Sequence, residues 1–112
     1  AMSVSSGTFT FPSTGIYLVM FNGTGSIGSG GGAINLRLKV TTNNSSYTDV
    51  SEASDGDQEG RAGAVSGNSI IDVTDTSNVK VRFRANMSSG GSFAGSTTTN
   101  QTYFTFIRLG DT

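Results

Sequence analysis

Apolar and polar residues alternate along much of this chain with a period of two, and they do so most regularly over residues 33–42 and 78–86. In both segments one set of alternate residues is apolar, namely Ile34, Leu36, Leu38 and Val40, and Val79, Val81 and Phe83. Because successive side chains of a β-strand point to opposite faces, this period predicts strands with one buried and one solvated face. No segment has sustained helical periodicity.

Two segments, 15–22 and 101–109, are apolar on both faces instead. In the second of them Tyr103, Ile107 and Leu109 share one face, while Phe104 and Phe106 share the other. One apolar face per sheet is enough to build the core of a small domain. A second apolar face needs a second cover, and we expect another copy of the chain to provide it.

The alternation and the content of β-branched and aromatic residues predict seven strands and a further short one around Phe93. The seven strands are 8–11, 15–22, 33–42, 47–52, 64–74, 78–86 and 101–109. Short strands in this number favour an all-β fold, with two antiparallel sheets packed as a sandwich or jelly roll.

The predicted connections fall into two groups of different length. Three are short, and the other three are long and rich in Gly, Ser, Thr or acidic residues: 23–32, 53–63 and 87–100. If each strand reverses the one before it, all three long loops lie at the same end of the sandwich, where binding residues are usually found. The alternative is flexible filler, which stays open for the glycine-rich segment 28–33.

The 112 residues suit one domain, and charged residues are only 13% of them, with a net charge of −1. The chain therefore has no excess of basic charge that would predict binding to nucleic acid. It also has no apolar run that would predict insertion into a membrane. We assign residues 1–6 to a linker or cloning remnant and residues 7–112 to a single head domain.

The chain contains neither His nor Cys, which removes the commonest general base, nucleophile activator and zinc ligands. A glycosidase needs two carboxylates across a cleft. Asp72 and Asp75 flank a tight turn, where Asp is ordinary turn chemistry. We therefore predict no enzymatic activity and no cofactor other than, at most, calcium.

The prediction of calcium rests on the one acidic cluster of the chain, Asp55, Asp57 and Glu59, which is followed by Gly60. This spacing matches the start of a calcium-binding loop, in which acids stand at positions 1, 3 and 5 and Gly at position 6. The match fails at position 12, where Ser66 stands instead of a bidentate Glu. A solvated acidic loop is the alternative.

Basic residues occupy the predicted outward faces of two strands: Arg37, Lys39, Lys80, Arg82 and Arg84. If these strands are neighbours, the five side chains form a stripe suited to an acidic partner or a glycan. A simple solvated face is the alternative.

Three segments resemble the globular head of complement component 1q and its tumour necrosis factor-like relatives. The first is the motif Gly7-x-Phe9-x-Phe11-Pro12-x-x-Gly15-x-Tyr17. Residues 65–83 are similar to a pair of family strands joined by a tight turn, and residues 103–109 resemble the closing strand. Residues 74–83 and 102–111 also resemble modules of phage virion proteins, particularly marine ones.

This resemblance implies a jelly-roll homotrimer whose members mostly bind macromolecules and are not enzymes. It implies that a single face of each chain lines the three-fold axis, formed by Tyr103, Ile107, Leu109, Ser66, Asn68 and Ile70. It also implies that Phe104, Phe106, Ile71 and Val73 fill the core. The family has further strands before the Gly7 motif, and without them a sheet edge is left open.

We therefore expect a trimeric binding head in a virion or extracellular setting, at the tip of a fibrous or phage virion protein. Its long loops are expected to attach to a host-surface glycan or protein through avidity. Two alternatives remain, a structural module that trimerises or caps a fibre and a lectin-like carbohydrate-binding sandwich.

Overall fold

The computed structural model describes residues 1–112 and contains nine strands and no helix. The strands are β1 (Ser3–Ser5), β2 (Thr8–Thr10), β3 (Gly15–Ser26), β4 (Gly32–Thr41), β5 (Tyr47–Asp57), β6 (Ala62–Val73), β7 (Lys80–Met87), β8 (Ser92–Phe93) and β9 (Tyr103–Gly110). All seven predicted strands are present, and β8 is the predicted short strand around Phe93.

The strands form two antiparallel sheets. The first has five strands in the order β1-β2-β7-β4-β5. In the second, β3 pairs with β6 along one edge and with both β8 and β9 along the other. The predicted all-β sandwich of two antiparallel sheets is therefore confirmed. Within this chain β9 pairs only with β3, so its second edge has no strand partner.

The first strand, β1, lies in the segment that we assigned to a linker. Ser3, Val4 and Ser5 pair with β2, so residues 3–5 belong to the sheet. The two residues that connect these strands, Ser6 and Gly7, have φ angles of 50° and 76°. Positive φ at both central residues is typical of tight two-residue hairpins, and the first Gly of the motif permits it.

The core lies between the two sheets and is formed mainly by the inward residues of β3, β4, β6 and β7. Thirteen apolar side chains are buried there: Phe11, Tyr17, Val19, Phe21, Ile27, Ile34, Leu36, Leu38, Val65, Ile71, Val73, Val79 and Val81. Phe83 of one sheet stacks on Phe104 of the other with 3.8 Å between ring centroids. The predicted alternation is confirmed, because Ile34, Leu36 and Leu38 are each at most 2% exposed.

The motif at residues 7–17 closes one corner of this core. The ring of Phe11 packs against Tyr17 with 4.6 Å between centroids, and the Tyr17 hydroxyl donates a hydrogen bond to the Ser13 carbonyl. Gly15 has a φ of +149°, and a Cβ there would lie 2.7 Å from the Gly110 carbonyl oxygen. Gly15 is therefore needed both for its backbone conformation and for the close approach of the last strand.

The three connections that the sequence predicts to be long meet at one end of the sandwich, which we call the long-loop end: residues 27–31, 58–61 and 88–102. The first two are shorter than predicted, because strands β3, β5 and β6 extend into the predicted loops 23–32 and 53–63, and only the third is longer than the connections at the opposite end. The Ile27 amide donates to the Arg61 carbonyl at 2.8 Å, and the Ser29 amide donates to the Ser89 carbonyl at 2.8 Å. Gly28 packs so closely on residues 89–91 that a side chain there would overlap their backbone. The glycine-rich segment is therefore a packed part of this end and not filler.

Candidate interaction surfaces

The outer face of the second sheet carries a continuous apolar surface, which we call the apolar face. Its residues point away from the core on β3, β6 and β9: Ile16, Leu18, Met20, Ile70, Ile107 and Leu109. Leu18 stands directly between Ile70 and Ile107 in the strand register, so the surface crosses all three strands. Ile70 is 65% exposed, Ile107 44% and Leu109 55%, so no other part of the chain covers them.

Polar residues continue this face toward the long-loop end. Asn22 stands between Ser66 and Tyr103 in the register, and Asn68 lies opposite Met20. The Asn22 side-chain amide donates a hydrogen bond of 3.2 Å to the Tyr103 hydroxyl.

The six residues that the resemblance assigned to a trimer axis thus share one face in this structure. Its centre, Leu18 with Ile16 and Met20, was missing from that assignment. The alternation within residues 15–22 already places those three side chains together on one face.

The opposite side of the same strands belongs to the core, as the resemblance implied. Val73 is fully buried, and Ile71 is 6% exposed. Phe104 and Phe106 are partly buried and pack against the core from the last strand. The central strand β3 therefore has one apolar face in the core and another that faces outward.

The register of β9 against β3 shifts between Ile16 and Tyr17, next to Leu109 of the outward surface. Ile16 pairs with Gly110 and Tyr17 pairs with Arg108, so Leu109 is the extra residue of a bulge. Two N–H groups of Arg108 donate to the Thr14 carbonyl at 3.0 and 3.1 Å. Its guanidinium also pairs with Asp111 at 2.7 Å, and this hydrogen bond raises the pKa of Arg108. These contacts fix the end of β9.

The outer face of the first sheet is charged, and we call it the charged face: Arg37, Lys39, Lys80, Arg82, Arg84, Asp49 and Glu52. Strands β4 and β7 are neighbours, which was the condition for the predicted basic stripe. On the β5 side, Asp49 pairs with Lys39 at 2.7 Å and with Arg37 at 3.1 Å. Arg37 also pairs with Glu52 at 2.6 Å. The hydrogen bond from Lys39 is the main cause that lowers the pKa of Asp49.

The three basic residues of β7 have no acidic partner. Arg82 lies over the ring of Tyr47, with 4.2 Å from its guanidinium carbon to the ring centroid, and donates to the Thr8 hydroxyl at 2.9 Å. Lys80 and Arg84 take part in none of the four ion pairs of the chain. The charge of this strand is therefore not neutralised within the chain.

The predicted calcium-binding cluster is not assembled in the structure. Asp55 and Asp57 are the last residues of an extended strand, and Glu59 follows in the turn. Asp55 accepts a hydrogen bond from the Ala64 amide at 2.9 Å, and Asp57 accepts one from the Gln58 amide at 2.7 Å. No group of three or more His, Cys, Asp or Glu side chains is placed to hold a metal ion. Strand pairing has extended a segment that a calcium site needs as a curled loop.

One open depression of about 300 Å³ lies near the long-loop end, between β4 and β7. It is lined by Ala33, Asn35, Asn86, Met87 and Ser88, none of which is titratable. The Ser88 hydroxyl is buried without a hydrogen-bond partner. The structure contains no helix long and apolar enough to cross a membrane.

No protein-family model and no curated protein sequence matches this chain. Solved structures do match it. A tumour necrosis factor of S. frugiperda, Eiger, superposes with a TM-score of 0.75 at 13% identity, over 99% of this chain and 70% of Eiger. The globular domain of the zebrafish complement 1qA protein gives 0.65 at 18% identity, over 98% of this chain and 74% of that domain.

Murine APRIL also matches, with a TM-score of 0.70 at 12% identity, over 96% of this chain and 77% of APRIL. Each match covers both sheets, since it spans nearly all of the chain. Identities this low show a shared fold, and the shared fold agrees with the resemblance carried by residues 7–17 and 103–109. The chain therefore has the jelly-roll fold found in tumour necrosis factor and complement 1q globular-head domains.

Proposed function

We propose that this chain is a non-enzymatic binding head that assembles as a homotrimer through the apolar face. The observation that carries the proposal is the row of Ile70, Leu18 and Ile107, which crosses three strands on the outside of a sheet whose other side is already the core. Contiguous apolar surface of this kind marks an interaction site in a soluble protein.

A closed ring of identical chains hides such a face on every copy. The family resemblance implies three copies, with Tyr103, Ile107 and Leu109 near the common axis. Ser66, Asn68 and Ile70 approach the same axis from β6. The arrangement also fits the chemistry of this face, because the Asn22 side-chain amide already donates one hydrogen bond to the Tyr103 hydroxyl within the chain.

Ligand binding in this proposal lies at the long-loop end. Its three loops are held together by backbone hydrogen bonds, so three copies present a rigid tip on which weak contacts add up through avidity. The resemblance to phage virion modules supports a place at the tip of a fibre or virion, outside the cell, where host-surface glycans or proteins are the available ligands.

The assembly is tested by light scattering on the wild type and on the double variant Ile70→Asp/Ile107→Asp. We expect a trimer for the wild type and a folded monomer for the variant, because each Asp would have to be desolvated at the axis. Val50→Asp is the matched control, since Val50 is also exposed, at 41%, but lies on the other sheet. A wild type that stays monomeric at high concentration would overturn the proposal.

The binding role is tested by replacing the exposed residues 95–100 with a Gly-Ser sequence of the same length. We expect the trimer to persist and binding to a glycan array or to host cells to fall. The matched control replaces residues 43–46 at the opposite end. Loss of assembly instead, with no binding by the wild type, would favour the alternative of a module that caps a fibre.

A further inference from the structure

Five of the seven basic residues of this chain lie on one face of one sheet. They are Arg37 and Lys39 of β4 and Lys80, Arg82 and Arg84 of β7. Only two acidic residues, Asp49 and Glu52, share that face, although the chain as a whole carries a net charge of −1. Positive charge is therefore concentrated on the charged face, while the remaining six acidic residues lie elsewhere.

The register of the strands places like charges opposite each other. Arg37 is the partner of Arg84, and Lys39 is the partner of Arg82. Like charges directly opposite on neighbouring strands destabilise a sheet. The two acidic residues relieve this repulsion on the β4 side only, because both of them pair with Arg37 or Lys39.

The fold itself gives no reason for the charges that remain. The Arg84 and Lys80 side chains make no ion pair, and neither takes part in a side-chain hydrogen bond, whereas Arg82 makes both a cation–π contact and a hydrogen bond. Positions where a chain accepts a local cost without a gain in stability are expected at functional sites. Here that cost is the opposition of Arg37 and Arg84.

The shape of the charged face restricts the partner. Lys80, Arg82 and Arg84 are alternate residues of one strand, so their Cα atoms follow a straight line at intervals of about 6.6–6.8 Å. A linear array of cations on a flat sheet matches an extended polymer with repeated anionic groups. It does not match a compact ligand, which needs a concave site.

The chemistry of the face restricts the partner further. Protein partners are usually held by an apolar centre with a polar rim, and no apolar side chain separates Arg37 from Arg84 or Lys39 from Arg82. Single-stranded nucleic acid is held by aromatic rings on which its bases stack, and the one ring here, Tyr47, is covered by Arg82. A polymer whose anionic groups accept hydrogen bonds from guanidinium and ammonium groups needs neither an apolar centre nor an exposed aromatic ring.

We propose that the charged face binds a linear acidic polysaccharide, with its carboxylate or sulfate groups accepting hydrogen bonds from Lys80, Arg82 and Arg84. This inference goes beyond the proposed function and rests on it only for avidity: in a trimer closed through the apolar face, the charged faces of all three chains point outward. The site lies on the side of the head and is separate from the long-loop end.

The test measures binding of heparin and of alginate, as sulfated and carboxylated probes, by isothermal titration calorimetry. We expect the wild type to bind at about 0.1 M salt and to lose binding at about 1 M, as the Debye length falls from about 10 Å to about 3 Å. Lys80→Gln/Arg84→Gln should weaken binding by roughly tenfold or more, because one exposed ion pair contributes up to about fivefold. Arg61→Gln, which removes a cation from the long-loop end, is the matched control and should change nothing.

A second pair of variants moves affinity in the opposite direction. Asp49→Asn and Glu52→Gln remove the only negative charges of the face, and each should tighten heparin binding by about two- to fivefold. Neither change is expected to raise the free energy of unfolding, because both break ion pairs with β4. A gain in affinity without a gain in stability separates a binding role from a structural one.

Three outcomes would overturn the inference. They are no heparin or alginate binding at about 0.1 M salt, an equal loss with Arg61→Gln, and binding of polyglutamate or single-stranded DNA as tight as that of the polysaccharides. The last outcome would assign the face to a protein or nucleic-acid partner. Light scattering on every variant distinguishes failure of this inference from failure of the proposed function. A wild type that is monomeric and still binds heparin would contradict the proposed trimer but not the proposed role of the charged face.

Discussion

The two sheets of this sandwich contribute to one core, yet their outer faces are opposites. On β3 the outward residues Ile16, Leu18 and Met20 are apolar, whereas on β4 the corresponding outward residues include Arg37 and Lys39. Inward positions of both strands are equally buried, so the fold needs them equally. The outward positions are not needed for the core, and the difference between them therefore reports what each sheet contacts outside the chain.

The largest effect is expected where the two sheets depend on each other. Phe21 is 1% exposed on β3, and its ring lies edge-on to Phe83 of β7 at 6.3 Å between centroids. Phe21→Ala should lower the free energy of unfolding by about 3–5 kcal/mol. Urea unfolding measures this, with Val50→Ala as a surface control expected within about 0.5 kcal/mol of wild type.

Because both outer faces rest on the same core, Phe21→Ala should weaken assembly and polyanion binding together. A variant that lost one property and fully kept the other would show that the two sheets are less dependent on each other than their shared core indicates.

A comparison of two leucines sharpens the contrast between core and apolar face. Leu36→Ala removes a core side chain that is 2% exposed and should cost about 2–5 kcal/mol. Leu18→Ala removes an outward side chain, and its effect on the melting temperature should grow with dilution, because unfolding of an assembled protein depends on concentration. Differential scanning calorimetry at several concentrations distinguishes them. Equal concentration dependence for both variants would place Leu18 in a purely intrachain role.

Removing a charge from the charged face is expected to change the free energy of unfolding in the opposite direction to removing a core side chain. Arg84→Gln removes one of two opposed arginines and should raise the free energy of unfolding by about 0.2–1 kcal/mol. Arg82→Gln is the matched control on the same strand, and it should lower that free energy by about 0.5–1 kcal/mol because the contact with Tyr47 is lost. Urea unfolding at low salt measures both. A fall with Arg84→Gln would mean that the residue supports the fold.

The smallest effect concerns acid stability on the same face. The hydrogen bond from Lys39 lowers the pKa of Asp49, so the ionised form stabilises the folded state above the pKa of the unfolded chain, near 4. That stabilisation is lost as the pH falls through the lowered pKa. Asp49→Asn should remove this part of the pH dependence, and Asp72→Asn, whose side chain makes no ion pair, should not. Identical pH profiles for the Asp49 variant and the wild type would contradict the assignment.

The sequence predicted most of the fold because alternation specifies strands and faces together. The register of β3 against β6 and β9 follows from matching apolar positions, and a shift by one residue would expose Tyr17, Val19 and Phe21. Alternation alone left both a sandwich and a jelly roll open, and the resemblance at residues 7–17 then indicated the jelly roll. It also brought together the residues of the apolar face.

The parts that alternation did not predict have weak strand propensity or depend on distant partners. Strand β3 continues through residues 23–26, where Gly23 and Gly25 leave room for Phe93 and the Ser92 backbone. A glycine that lets another segment pack closely on a strand looks like a loop residue in the sequence, because the approaching segment is some seventy residues away. Residues 53–57 of the acidic segment also have the composition of a loop, and pairing with β4 extends them as strand through Asp57.

The hydrogen bonds from Ile27 to Arg61 and from Ser29 to Ser89 have a consequence for anyone who would retarget this scaffold. The segment 27–31 is hydrogen-bonded to each of the other two tip segments, so a new specificity cannot be grafted one loop at a time. A library should instead randomise positions of all three segments jointly. It should keep Gly28, where two segments of the chain approach too closely for a side chain.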